Sequence, residues 1–181
     1  FVSQVDPADF NTIYAETQNG SLYRQDLRTG QQQRIRPQAP MPEGEEERER
    51  YRFDWNTPFI LSPHNPQTLY LGGNKLFKSV DRGDNWTEIS PDLTALPEER
   101  NSAIVSVAES YLEPGLLWAG TNAGNVWLKR SETDDWDLLN GKIPGVPEMY
   151  WVKRIEASHH EAGRAFVAFD GHRHMDLGPH I

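Results

Sequence analysis

Residues 62–73 read SPHNPQTLYLGG, and three other stretches of the chain align with them without a gap. The four copies start 56, 48 and 48 residues apart, at Asp6, Ser62, Ser110 and Ser158. The ninth position of every copy is aromatic and is occupied by Tyr14, Tyr70, Trp118 and Phe166. A fixed period of this length indicates a chain built from repeated structural units.

A second anchor follows the first three copies, in residues 22–35, 76–89 and 126–139. Each of these stretches opens on an aliphatic residue followed by an aromatic one and closes on an aliphatic residue. Short apolar runs separated by Gly, Asn, Asp and Pro are typical of β-hairpins, and no segment shows a convincing helical period. Four strands per period of about 40–50 residues predict an all-β fold, a β-propeller of four-stranded antiparallel blades.

The repeats divide the chain into units of about 1–36, 57–90, 103–140 and 151–181, with residues 37–56 as an inserted charged loop. The fourth unit holds only two of its four strands, so we expect about three and a half blades of a larger propeller, in one partial domain. We expect the repeated aromatic residues to be buried between blades. In an open arc, Phe166 should be less covered than Tyr70.

Charge and composition exclude several classes of function. The 181 residues include 18 Lys and Arg against 27 Asp and Glu, and the net charge of −9 lacks the basic surface of a nucleic-acid binder. No apolar run approaches the roughly 20 residues of a membrane span. Without cysteine the chain has no disulfide and no thiol nucleophile. We expect no cofactor.

One turn carries a recognisable motif. Residues 79–86, SVDRGDNW, fit the pattern S-x-D-x-G-x-x-W through Ser79, Asp81, Gly83 and Trp86. Asp81 is placed to accept hydrogen bonds from backbone amides of the hairpin, and Gly83 to adopt the positive φ that closes it. Trp86 should pack its ring inward. We therefore interpret the motif as structural.

With this motif, and with residues 55–64 (WNTPFILSPH), 69–74 (LYLGGN) and 89–94 (ISPDLT), the chain resembles bacterial BNR/Asp-box repeat proteins related to the N-terminal propeller of sortilin. Many members of this group are labelled glycosyl hydrolases. The resemblance implies a long, exported protein and an extracytoplasmic location, whether periplasmic, secreted or at the cell surface.

The connections between units favour one face of the propeller for function. The outer-to-inner connections, residues 36–56, 90–103 and 140–150, are long, and residues 170–181 begin a long loop on the same side. We call this side the long-loop face. The opposite face, which carries the motif of residues 79–86, has tight turns. Loops held by a rigid scaffold commonly carry function.

Candidate ligand-binding residues cluster where the chain returns to the inner strands and in the last loop. They are Arg52, Asp54, Trp55, Asn56, Tyr150, Trp151, His172 and Arg173. An arginine, a carboxylate, an indole and an amide together suit a sugar or a peptide. The alternative is structural, with Trp55 in the core and Asp54 paired with Arg52.

Catalysis has weaker support than binding. Glycoside hydrolysis usually needs two carboxylates about 5–9 Å apart, and the weak candidates are Asp54, Glu148 and Asp170. None of them belongs to a motif. Residues 170–176 hold two His and two Asp, but their spacing matches no strong ligand motif, so we expect no metal site.

Two hypotheses follow for function. The first is a non-catalytic exported propeller segment that binds protein, peptide or glycan, or that supports the remaining blades of a larger protein. The alternative is a glycoside hydrolase of the sialidase-like kind, acting on the long-loop face. Fold analogy alone does not decide between them.

Overall fold

The computed structural model describes residues 2–38, 51–94, 102–145 and 149–181, and it contains three four-stranded sheets and one two-stranded sheet. Blade 1 consists of β1 (Ser3–Asp6), β2 (Asp9–Glu16), β3 (Leu22–Asp26) and β4 (Gln32–Arg34). Blade 2 consists of β5 (Phe59–Leu61), β6 (Leu69–Gly72), β7 (Leu76–Ser79) and β8 (Thr87–Glu88). Blade 3 consists of β9 (Ile104–Glu109), β10 (Leu117–Thr121), β11 (Val126–Lys129) and β12 (Trp136–Leu138). Blade 4 consists of β13 (Trp151–Ala157) and β14 (Ala165–Asp170).

Consecutive strands pair antiparallel in every blade, in sequence order from the innermost to the outermost. The innermost strands β1, β5, β9 and β13 together line a cavity of about 360 Å³, which marks the axis. Two 3-10 turns, Asn140–Lys142 and His172–His174, are the helical segments of the described residues. These observations confirm the predicted propeller of antiparallel blades. None of the described helical segments could cross a membrane.

The repeated aromatic residues show how one blade covers the next. Tyr14, Tyr70 and Trp118 are 0, 1 and 3 % exposed, as predicted. Tyr70 packs in a cluster with residues of blade 3, and its hydroxyl donates a 3.0 Å hydrogen bond to Glu109. Phe166 is 57 % exposed, because among the described residues no further blade covers that side of blade 4. The prediction that Phe166 is less covered than Tyr70 is confirmed. The prediction that Phe166 is buried like the other three aromatic residues is wrong.

The turn at residues 79–86 is held by its own side chains. Asp81 Oδ1 accepts the Asn85 backbone N–H at 2.9 Å, and Ser79 Oγ accepts that of Gly83 at 2.8 Å. Gly83 has φ +90°, the left-handed conformation that an L side chain rarely adopts. The hydrogen bond from the Asn85 amide, with smaller contributions from the Asn85 and Ser79 side chains, lowers the Asp81 pKa to about 2. Each of these contacts is local to the turn.

Two tryptophans at the same repeat position connect neighbouring blades. Trp86 Nε1 donates to the backbone oxygen of Ile35 at 2.6 Å, and Trp136 Nε1 donates to that of Ile89 at 2.9 Å. Ile35 and Ile89 close equivalent anchors of the preceding blades. Each of these two indoles therefore satisfies a carbonyl group of the blade before it.

Replacing Trp86 with phenylalanine removes this hydrogen bond and keeps most of the ring. We expect the free energy of unfolding to fall by about 1–2 kcal/mol, since the Ile35 carbonyl loses its donor. Urea denaturation followed by circular dichroism measures the change. Trp55→Phe is the matched control, because Trp55 is 58 % exposed, and an equal loss in both variants would contradict the prediction.

Candidate functional site

The returning chain packs against the turns between second and third strands on the long-loop face. Asn19 N–H donates to the backbone oxygen of Trp55 at 3.3 Å, and Asn74 N–H donates to that of Arg52 at 2.8 Å. In blade 3, Asn122 N–H donates to the Ala103 oxygen at 3.1 Å. The candidate residues of the inserted loop are thus fixed to the scaffold through the backbone.

Arg52 holds two loops together. Its Nη2 lies 2.9 Å from Asp92 Oδ2 and donates to Thr94 Oγ1 at 2.7 Å. Asn74 Nδ2 donates to the same Asp92 oxygen at 2.8 Å, and Arg52 N–H donates to Asn74 Oδ1 at 3.0 Å. The predicted alternative pairing of Arg52 with Asp54 is therefore wrong. The acceptor comes from residues 89–94, 40 positions further along the chain.

Asp54 has different partners. Its Oδ1 accepts the Asn56 backbone N–H at 3.0 Å, and its Oδ2 accepts Asn122 Nδ2 at 3.3 Å. Trp55, which lies between Asp54 and Asn56 in the sequence, is 58 % exposed. The alternative that placed it in the core is therefore wrong. Asp54 shapes the loop, and the adjacent indole lies at the surface of the long-loop face.

Tyr150 anchors the last loop, which consists of residues 170–180. It is 8 % exposed, its hydroxyl donates to Asp176 Oδ2 at 2.9 Å, and its ring stacks on His174 with centroids 5.0 Å apart. His180 Nε2 lies 2.9 Å from the same carboxylate oxygen. Phe169 N–H donates to the His180 oxygen at 2.9 Å, which closes residues 170–180 into a defined loop. Tyr150 is thus a support for the loop.

Trp151, His172 and Arg173 come together at the start of blade 4. The Arg173 guanidinium carbon lies 4.3 Å from the centre of the Trp151 ring, a cation–π contact. Asp170, which pairs in register with Trp151, lies 2.5 Å from His172 Nδ1 and accepts the His172 backbone N–H at 3.0 Å. That backbone hydrogen bond, followed by the one from the ring, lowers the Asp170 pKa.

One of the predicted catalytic carboxylates, Asp170, is poorly suited to acid catalysis. A general acid needs a raised pKa, whereas that of Asp170 is lowered by the His172 amide. Glu148 lies outside the described residues. Within residues 2–38, 51–94, 102–145 and 149–181 there is no group of three or more metal-ligating side chains.

Sequence reasoning missed Glu16, at the end of β2. It is 2 % exposed, and both of its carboxylate oxygens are buried away from solvent. Burial raises its pKa to about 7, and the negative charge of Asp54 adds to the effect, while the Thr57 and Gly20 amides oppose it. Glycines 72 and 120 occupy this repeat position in blades 2 and 3, so an acidic residue among glycines was the available signal.

The raised pKa predicts a pH-dependent stability. Because a buried carboxyl group binds its proton more tightly when folded, its contribution is full below the ordinary value of 4.5 and is lost as the pH rises to about 7. Glu16→Gln should therefore raise the free energy of unfolding by about 3 kcal/mol at pH 8 and change it little at pH 4. Urea denaturation at both values tests this, and parallel pH profiles of the two proteins would contradict it.

Comparisons with known proteins establish the fold. No protein-family profile and no characterised protein sequence matches the chain significantly. Among solved structures, it is similar to the GH74 xyloglucanase of Xanthomonas campestris, with a TM-score of 0.59 and 18 % identity over 92 % of this chain and 26 % of that one. The Niastella koreensis GH74 enzyme gives 0.59 and 16 % identity over 92 % and 26 %.

A third similar structure is the extracellular domain of a protein described as a one-component system of B. thetaiotaomicron. Its TM-score is 0.61, with 17 % identity over 94 % of this chain and 20 % of that one. The chain thus spans between a fifth and about a quarter of the length of these three structures. The property that the chain shares with these structures is the fold, over 92–94 % of its length.

Proposed function

We propose that this chain is one partial propeller domain of an exported protein, and that its long-loop face binds a protein, peptide or glycan without catalysis. The observation that carries the proposal is the surface position of Trp55 beside a loop fixed by Asp54 and Asn122. A large aromatic ring held by a rigid loop provides contact area at a low entropic cost. The Arg173–Trp151 stack adds a second such feature on the same face.

The carboxylates favour binding over hydrolysis. Asp54 accepts two hydrogen bonds that shape its loop, and Asp170 is held by the backbone and ring of His172. A catalytic acid must reach the glycosidic oxygen, yet the raised-pKa carboxylate of Glu16 is buried beneath the turn of blade 1. Asp54 and Asp170 thus hold their loops in place and Glu16 is buried, so these three described carboxylates are poorly placed to act as a hydrolytic pair.

Similar structures support an extracytoplasmic setting. One of them is an extracellular domain, and two are glycoside hydrolases of the GH74 group, one of them named a xyloglucanase. We also propose that the chain is related to BNR/Asp-box and sortilin-like propellers. In this proposal the structural Asp-box consists of Ser79, Asp81, Gly83 and Trp86.

A binding screen tests the proposed function. The protein is passed over immobilised neutral glycans, among them xyloglucan oligosaccharides, and over peptides, and each response is compared with that of Trp55→Ala. We expect at least one ligand whose binding falls about tenfold in the variant. Leu112→Ala is the control, because Leu112 is 51 % exposed in a turn of the opposite face. Equal binding by all three proteins would contradict a role for the long-loop face.

The alternative, a glycoside hydrolase, is favoured by one observation. Two of the similar structures are GH74 enzymes, and one of them is named a xyloglucanase. Incubation with xyloglucan followed by a reducing-sugar assay distinguishes the two functions. Release of reducing sugar by the protein would support the hydrolase and overturn the non-catalytic proposal.

A further inference from the structure

At the start of blade 4, Arg173 is held in place by a neighbouring ring, but no carboxylate of the described residues neutralises its charge. Arg173 stacks on Trp151 at 4.3 Å and forms no ion pair with any carboxylate of the described residues. A stacked guanidinium is already restricted, so less entropy is lost when its N–H groups bind a ligand. Its planar edge matches a carboxylate in a two-point hydrogen-bonded pair.

Lys153 supplies a second cation near Asp170, at an irregularity of strand β13. The register between β13 and β14 shifts between Val152 and Arg154, which leaves Lys153 as the extra residue of a β-bulge. Lys153 is exposed, pairs with no carboxylate of the described chain and lies within electrostatic range of Asp170. Arg173 and Lys153 supply two positive charges beside the single carboxylate of Asp170, on a protein of net charge −9.

The loop that carries Arg173 is braced on several sides. Tyr150 anchors it through Asp176 at 2.9 Å, and Asp176 N–H donates to the Gly171 oxygen at 3.1 Å. The 3-10 turn His172–His174 is closed by His174 N–H on the same oxygen at 2.8 Å. The cation is therefore presented by a preorganised loop, as a binding site requires.

We infer that this patch, formed by Trp151, Lys153, His172 and Arg173, binds the carboxylate group of an acidic saccharide. The inference rests on the proposed binding function of the long-loop face and names its ligand class. A saccharide is favoured over a peptide because Trp55, the repeat equivalent of Trp151 two blades earlier, is 58 % exposed on the same face. Indole rings pack against the apolar faces of sugar rings, and the guanidinium supplies the complementary charge.

Oligogalacturonate of four sugars is the probe, and its fully methyl-esterified form is the uncharged control. Isothermal titration calorimetry compares the protein with Arg173→Gln and with Arg164→Gln. Arg164 is the matched control, an exposed arginine of the same blade that pairs with Glu161 in the turn of the opposite face. Since both arginines are at the surface, neither change should prevent folding.

We expect the dissociation constant for oligogalacturonate to rise about tenfold or more in Arg173→Gln and to stay within about twofold in Arg164→Gln. The esterified form should bind no better to the protein than to Arg173→Gln. Equal binding of both forms, an unchanged Arg173→Gln, or no binding of oligogalacturonate would overturn the inference. Tetraglutamate binding as tightly as the saccharide would overturn the choice of ligand class. Retained Trp55-dependent binding of a neutral glycan or peptide would show that the proposed function survives such a failure.

Discussion

Replacing Tyr70 with alanine is expected to lower the free energy of unfolding by about 4 kcal/mol, the largest effect of any substitution considered for this protein. Tyr70 is 1 % exposed and fills the space between blades 2 and 3. The truncation leaves a cavity and removes the hydroxyl that donates to Glu109 Oε1, a carboxylate whose other oxygen is already buried without a partner. Both changes act against the folded state.

The repeat provides the control for this experiment. Phe166 occupies the same position of the fourth unit and is 57 % exposed. Phe166→Ala should therefore cost less than about 1 kcal/mol. Guanidinium denaturation of both variants measures the difference, and similar losses would show that the repeat position, rather than coverage by the next blade, sets the energy.

Gly83→Ala is expected to cost about 3 kcal/mol, from two causes that add. The residue has φ +90°, and a Cβ atom there would lie 2.5 Å from Ile35 Cδ1 and 3.0 Å from Ile35 Cβ. Left-handed backbone costs an L residue about 1–2 kcal/mol, and the displacement of Ile35 in the core between blades 1 and 2 adds the rest. Thermal or urea unfolding measures the loss.

Gly30→Ala separates the two causes. Gly30 has φ +71°, but a Cβ atom there would meet nothing within 4 Å. Its cost should be the backbone term alone, about 1 kcal/mol. If the two variants lose the same stability, the contact of the turn with Ile35 contributes nothing, and the turn at residues 79–86 acts only through its backbone conformation.

Local and periodic features of the fold could be predicted from the sequence. The aromatic ninth position and the two anchors predicted four antiparallel strands per unit, because a strand of a few residues is specified by its own apolar pattern and flanking turns. The turn around Asp81 was predictable for the same reason, since its hydrogen bonds join residues no more than 4 positions apart.

The candidate site was predicted only in outline. The sequence indicated the right loops, and Arg173 and Trp151 do meet, but the partners of Arg52 and Asp54 lie 40 and 68 positions away. Which loops touch depends on how each blade is rotated against its neighbour. The residue pattern within one repeat carries no information about this rotation between blades. The pairing of Arg52 with Asp92 could therefore not be predicted from the sequence.

The repeat, the antiparallel blades and the self-contained turn at residues 79–86 follow from the amino-acid sequence alone, because hydrophobic period and turn chemistry act over short distances. The coverage and charge environment of each side chain depend instead on how the blades pack. Tyr70 is buried because blade 3 covers it, whereas Phe166 is exposed because no blade among the described residues covers it. Glu16 acquired a pKa of about 7 because the packing of blade 1 against residues 54–57 removes its carboxylate from water. Burial is a property of neighbours, and neighbours distant in sequence are brought together only when the blades pack.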